Sequence, residues 1–135
     1  MKRFLTLLFL LVVSLTAIGQ GNYMGYSQTQ IHGILQYYNP VITITSEQTY
    51  TTIENNSSVV FYIYDENWIC NEIVVQPKTR AHARYLQGFY NKNDKSIIIN
   101  KNQSWMVYFY DKPVIIRMRK WQNKTYFYHN YANFN

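Results

Sequence analysis

Few residues of this chain have the chemistry that catalysis requires. The chain contains one cysteine, Cys70, and three histidines, His32, His82 and His129, which fall on separate predicted elements. A cysteine and a histidine form a nucleophilic pair when the fold brings them together, so Cys70 with His82 is the pair to consider. Cys70 stands within an apolar, strand-like stretch, where a cysteine more often fills space than reacts. We therefore predict no catalytic residues, and a small hydrolase or cysteine-dependent enzyme is the alternative.

Motifs for metals, phosphates and acyl transfer do not occur in the sequence. No histidines have the HExxH spacing, one cysteine cannot form a CxxC site, and neither a glycine-rich phosphate loop nor GxSxG is present. Asp65, Glu66, Asp94 and Asp111 stand in or beside predicted turns, a position typical of turn formation rather than acid–base pairs. The sequence predicts no metal site and no cofactor.

The C-terminal part of the chain contains the strongest candidate for a binding surface. Alternation places arginines on one face of a predicted strand, and pairs of tyrosines each share one face of the strands before and after it. If these faces coincide, the arginines lie among the tyrosines. In the alternative arrangement, the tyrosines pack against the helices and the arginines are solvated edge residues. The candidate residues are Tyr108, Tyr110, Arg117, Arg119, Trp121, Tyr126 and Tyr128.

Arginines among tyrosines are suited to anionic or ring-bearing ligands. We predict that the partner is an acidic protein or a glycan, and we do not expect nucleic acid. The function that follows is an exported, non-enzymatic binding module. A structural subunit of an envelope assembly, pairing through an exposed sheet edge, is a further alternative.

The first nineteen residues have the pattern of a cleaved secretory signal. Lys2 and Arg3 precede an apolar run over residues 4–15, and small residues at Ala17 and Gly19 indicate cleavage after Gly19. An N-terminal membrane anchor is the alternative. No later stretch approaches the roughly 20 apolar residues of a transmembrane helix. We predict a signal peptide over 1–19 and one exported domain over 20–135, periplasmic or secreted.

The composition is that of a globular protein with an uneven charge distribution. Apolar residues make up 47% of the chain and aromatic residues 18%, and the formal net charge is +6. An exported chain with one cysteine has no internal disulfide. Residues 20–75 contain no lysine or arginine, whereas the basic residues of the predicted mature chain all follow Val75. The sequence predicts a molecule with an acidic and a basic side, unless the fold interleaves the two parts.

Periodicity predicts an α+β domain: an antiparallel sheet of about five to seven strands with two helices packed on one face. Ser27 and Gln30 match a capping box that begins a helix over 27–38, and Thr79 is the predicted N-cap of a helix over 80–90. A central hairpin joins 59–64 to 68–75, and alternation in its second arm places Cys70 on the face opposite Ile73. The other predicted strands are 41–45, 48–53, 96–100, 105–110, 114–120 and 125–131.

The opening Met24-Gly25-Tyr26-Ser27-Gln28, followed by a helix, a hairpin with a lone cysteine, a second helix and a meander, resembles small exported bacterial proteins of unknown function. The plan is also similar to β-lactamase-inhibitor-like domains and to outer-membrane-assembly lipoprotein (SmpA/OmlA) domains. The resemblance implies a helix-plus-antiparallel-sheet fold and assigns no functional residue. Those lipoproteins carry an anchoring cysteine, which this chain does not have after its apolar run. The sequences at the ends of the two helices, 35–39 and 86–91, are alike, and one hypothesis is an internal repeat of about fifty residues.

Overall fold

A computed structural model of the chain describes residues 23–37, 43–46, 49–109 and 111–132. The described residues form two helices and eight strands, and every pair of neighbouring strands is antiparallel. The predicted α+β class is confirmed, with eight strands where about five to seven were expected. The elements are α1 (Gln28–Tyr37), β1 (Thr43–Ser46), β2 (Tyr50–Glu54), β3 (Ser58–Tyr64), β4 (Cys70–Pro77), α2 (Arg80–Lys92), β5 (Ile97–Asn100), β6 (Ser104–Phe109), β7 (Lys112–Trp121) and β8 (Lys124–Tyr131).

Both helices begin where the capping residues predict. The backbone N–H of Ser27 donates to Gln30 Oε1 at 2.9 Å, and the N–H of Gln30 donates to Ser27 Oγ at 3.2 Å, which completes the capping box. Thr79 Oγ1 accepts from the N–H of His82 at 3.1 Å. These bonds satisfy N–H groups that have no partner within the helix, so local sequence alone determines both starts.

The strand order is β1-β2-β3-β4-β8-β7-β6-β5. Each half of the chain therefore contributes one helix and a four-stranded meander, and the halves meet at the β4–β8 pair. One register also corresponds: Thr51 pairs with Tyr62, while Trp105 and Ile116, each 54 positions later (105 − 51 and 116 − 62), pair with each other. The same shift does not map the β3–β4 register onto that of β7–β8. The predicted repeat thus has a counterpart in the architecture.

The hydrophobic core lies between the helices and one face of the sheet. Alternate strand residues on this face are buried: Ile53, Val60, Tyr62, Ile73, Val75, Trp105, Val114, Ile116 and Phe127. Both helices bond to this face, because His32 Nε2 lies 2.8 Å from Thr51 Oγ1 and Tyr90 Oη lies 3.2 Å from His129 Nε2. The expectation that both helices pack on one face is confirmed. We call the opposite side of the sheet the outer face.

A β-bulge changes the side on which the cysteine lies. Ile63 pairs with Glu72, but Tyr64 pairs with Cys70, so Asn71 is an extra residue in β4. Cys70 and Ile73 are consequently both buried in the core. The prediction that Cys70 lies on the face opposite Ile73 was wrong, since simple alternation does not account for an inserted residue.

The strand order keeps the two charge classes apart. Four of the six described carboxylates, those of Glu54, Asp65, Glu66 and Glu72, belong to the half built from β1–β4. The other two, Asp94 and Asp111, belong with the described arginines to the other half. Among the described residues one ion pair bridges the halves, between Lys78 Nζ and Glu54 Oε1 at 2.6 Å. In the described sheet, the strands of the two halves do not interleave and are adjacent at the β4–β8 pair. No helix within the described part of the chain is both long enough and apolar enough to cross a membrane.

Candidate functional site

Two arginines and two tyrosines form cross-strand pairs on the outer face. Arg117 lies opposite Tyr128 and Arg119 lies opposite Tyr126 in the β7–β8 ladder. The centroids of the two tyrosine rings are 6.1 Å apart. All four side chains are exposed or half-buried. We call these four residues the Arg–Tyr platform; the faces of the two strands coincide here, as the sequence analysis required.

The turn between β7 and β8 sets the register that creates the platform. Gln122 and Asn123 have φ values of 48° and 63°, and Trp121 pairs with Lys124 on either side of them. Two central residues with positive φ identify a type I′ turn, whose twist matches that of the strands it joins. A shift of one residue would move the tyrosines to the face opposite the arginines, so this two-residue turn decides the composition of the surface.

The platform continues into an apolar surface on the neighbouring strands. Tyr128 lies opposite Val74 in the β4–β8 ladder, and Val74 lies opposite Phe61 in the β3–β4 ladder. One row of side chains therefore crosses four strands from Phe61 to Arg117. In the described part of the chain, both helices occupy the other side of the sheet. The row has Phe61 at one end and the guanidinium of Arg117 at the other, and Tyr128 and the 7% exposed Val74 lie between them.

The remaining candidates lie outside the four-residue platform, although Trp121 follows Arg119 by two residues and by alternation shares the outer face with it. Tyr108 shares the outer face but pairs with Pro113, four residues and roughly 13 Å along β7 from Arg117. Trp121 lies at the tip of the β7–β8 hairpin with 62% of its surface exposed. Tyr110 lies outside the described residues. The structure brings together Arg117, Arg119, Tyr126 and Tyr128 and places Tyr108 and Trp121 at opposite ends of β7.

Sequence reasoning missed a cleft between α2 and the tip of this hairpin. The cleft has a volume of about 510 Å³. Its charged lining residues are Arg80, Arg84 and Lys120, and Trp121 forms part of its wall. We call it the α2–hairpin cleft. Arg80 and Arg84 are one helical turn apart in sequence, but Lys120 is 36 residues further along (120 − 84), and no local pattern links it to them.

Hydrogen bonds at the inner end of the cleft hold its two sides together. Gln87 Nε2 donates to the backbone oxygen of Asn102 at 3.0 Å and lies 3.1 Å from Met118 Sδ. Asn91 Nδ2 donates to Asn102 Oδ1 at 2.6 Å. These bonds join α2 to the β5–β6 turn and to β7. Because these bonds hold α2 against β7, they also hold the two arginines of α2 near the hairpin that carries Trp121.

Cys70 does not have the surroundings of a nucleophile. It is buried, its thiol donates to the backbone oxygen of Glu72 at 3.5 Å, and burial raises the pKa of the thiol to about 12. No hydrogen bond joins Cys70 to a histidine among the described residues. The ring of His82 instead stacks on Tyr85 at 5.7 Å, and burial lowers the pKa of its imidazole. A buried thiol with a raised pKa stays protonated at neutral pH, which disfavours its use as a nucleophile.

His129 is a buried structural residue. Nδ1 lies 3.2 Å from the backbone oxygen of Ile73, and Nε2 lies 3.2 Å from Tyr90 Oη. A carbonyl oxygen can only accept, so Nδ1 carries a proton, and the imidazole joins β8 to β4 and α2. Within the described ranges, no group of three or more histidine, cysteine, aspartate or glutamate residues has an arrangement that could hold a metal ion.

Comparisons with known proteins do not assign the chain to a family. No protein-family model, curated protein or solved structure matches the chain. The resemblance to inhibitor-like and envelope lipoprotein domains therefore stays a prediction. The predicted signal peptide lies outside the described residues and also stays a prediction.

Proposed function

We propose that the chain is an exported, non-enzymatic binding protein whose Arg–Tyr platform recognises an acidic partner. The observation that carries the proposal is the direct pairing of Arg117 with Tyr128 and of Arg119 with Tyr126 on the face of the sheet that neither described helix occupies. Arginine and tyrosine are enriched at protein interfaces, because each combines a large contact area with a polar end.

The charges of the platform favour an acidic protein surface as the partner. No described carboxylate forms an ion pair with Arg117 or Arg119, so both guanidinium groups are available for an acidic surface. A planar guanidinium forms paired hydrogen bonds with a carboxylate and also packs against aromatic rings. The row from Phe61 to Arg117 spans four neighbouring strands, an extent that suits a protein–protein contact better than a small-molecule pocket. An acidic glycan is the second partner to test, and nucleic acid is not expected.

A pull-down from envelope extract tests this proposal. The triple variant Arg117→Ala, Arg119→Ala and Tyr128→Ala should lose a partner that the natural chain retains, and about 0.5 M salt should also release that partner. The double variant Lys95→Ala and Lys101→Ala removes the same number of positive charges from another surface and should retain the partner. Equal recovery by the triple variant and the natural chain would show that the platform is not the binding surface.

The edge strand β5 favours a second candidate, a structural subunit. β5 is at one end of the strand order, and its isoleucines Ile97, Ile98 and Ile99 are 49%, 45% and 54% exposed. Natural proteins usually protect such edges with charges or proline, so an unprotected apolar edge is suited to pairing with a partner strand.

Sedimentation of the natural chain and of Ile98→Lys tests the subunit role. The charge on the edge should abolish any assembly formed by the natural chain. Platform variants should leave that assembly unchanged. A natural chain that sediments as a monomer at high concentration and recovers the same partners as Ile98→Lys would eliminate this candidate.

A further inference from the structure

We infer that the α2–hairpin cleft is a separate binding site for an acidic oligosaccharide. The cleft lies on the helix side of the sheet, whereas the Arg–Tyr platform lies on the outer face. Three cationic residues, Trp121 and several residues with side-chain amides line it. This combination goes beyond the platform, and it can be tested without any assumption about the platform.

The positive charge of the cleft has no described counter-charge. Arg80, Arg84 and Lys120 are exposed, the lining contains no carboxylate, and no described ion pair includes any of the three. The nearest acids along the same elements are distant. Asp111 is nine residues from Lys120, about 30 Å along β7, and Asp94 follows the opposite end of α2, about 20 Å from Arg80. An anion that enters the cleft therefore meets three unpaired cations.

The two arginines occupy positions that are unfavourable for the helix itself. Arg80 lies in the first turn of α2, where the helix dipole is positive and acidic residues are the stabilising choice, and Arg84 lies one turn further on. They are also four residues apart, so their like charges repel on one face of the helix. The first turn of α2 contains no acidic residue that would offset this repulsion. A bound anion removes both unfavourable effects, which a purely structural role for these arginines does not explain.

The hairpin tip supplies the other half of the site. Trp121 is 62% exposed, and Gln122 and Asn123, the two central residues of the type I′ turn, follow it in the cleft lining. A sugar ring can stack its C–H face on the indole while the amides bond its hydroxyl groups. The arginines then reach its carboxylate or sulfate groups with charge-assisted hydrogen bonds. The volume of about 510 Å³ is within the range of small-ligand sites.

Calorimetric titration of the chain with a sulfated uronate–hexosamine tetrasaccharide tests the inference. Arg84→Ala and Trp121→Ala should each weaken binding by about tenfold or more, because they remove a charge and the stacking surface respectively. Lys95→Ala after α2 and Lys101→Ala on the β5–β6 turn are the matched charge controls and should change the affinity by less than about twofold. A neutral tetrasaccharide of the same length should not bind.

The thermal midpoint of the Arg84→Ala variant shows whether its loss of binding reflects a loss of folding. Arg84→Ala removes a like-charge repulsion and introduces a better helix former, so its thermal midpoint should equal or exceed that of the natural chain. The inference is overturned if the tetrasaccharide does not bind, if the control variants weaken binding as much as the cleft variants, or if ATP or a thymidine oligonucleotide binds more tightly than the tetrasaccharide. Failure of the platform proposal would leave each of these results unchanged.

Discussion

Arg117 and Tyr128 face each other across β7 and β8 on the side of the sheet that neither described helix covers. The pair joins the most basic strand of the chain to its most tyrosine-rich strand. Since Tyr128 also pairs with Val74 across the central β4–β8 ladder, the platform lies beside the centre of the sheet rather than at an edge. Its backbone is consequently held by ladders on both sides.

We expect Arg117 and Tyr128 to contribute modestly to stability. Cross-strand pairs on an exposed face are typically worth roughly 0.2–1 kcal/mol, so a double-mutant cycle with alanine should give a coupling energy in that range. Urea unfolding of the two single variants and the double variant measures it. A loss of about 3 kcal/mol for either single variant would instead mean that its side chain belongs to the core.

Thr51 should be more important for stability than its neighbour Thr52. Thr51 is fully buried, and its hydroxyl lies 2.8 Å from His32 Nε2 and 2.7 Å from Tyr64 Oη, which links α1 to β2 and β3. Thr51→Val leaves buried polar groups without this hydroxyl and should cost about 1–3 kcal/mol of unfolding free energy. Thr52→Val, on the outer face, makes the same chemical change and should cost less than about 0.5 kcal/mol. Equal costs in urea unfolding would show that the buried hydroxyl is not a structural link.

Stability should fall in mildly alkaline solution because of Cys70. Burial raises the pKa of its thiol from 9.0 to about 12, so the unfolded chain loses this proton first. The stabilisation is complete below pH 9 and decreases as the pH rises toward 12. Between pH 8 and pH 10 the loss should be about 1 kcal/mol. The difference between urea unfolding energies at these two pH values should be smaller in Cys70→Ala by this amount, whereas an unchanged difference would contradict the assignment to Cys70.

Gln122 carries backbone strain that a glycine would relieve. Its φ of 48° lies in the left-handed region, which costs a residue with a Cβ roughly 1–2 kcal/mol. Gln122→Gly should therefore stabilise the chain by about 0.5–1 kcal/mol, after the greater entropy of glycine in the unfolded chain is subtracted. Gln122→Ala keeps the Cβ and should leave the thermal midpoint nearly unchanged. A gain from alanine equal to that from glycine would locate the effect in the side chain instead.

Several features of the fold could be predicted from the sequence because they depend on neighbouring residues. The capping box of Ser27 and the N-cap of Thr79 are bonds between residues three apart, and both formed as expected. The strands also lie close to their predicted positions, since alternation and turn residues act over short distances. The coincidence of the arginine and tyrosine faces required one further condition, the two-residue turn at Gln122 and Asn123.

Other features were decided only by the tertiary structure. The bulge at Asn71 turned Cys70 toward the core, and no feature of the alternating pattern indicated it. The sequence by itself determined the element types, the helix starts and the separation of charge along the chain. Tertiary structure decided that the charged halves stay apart in space, and that Arg84 and Trp121 share one cleft. The physical reason is that periodicity specifies which residues share a face of one element, whereas hydrogen-bond register and helix packing specify which faces meet.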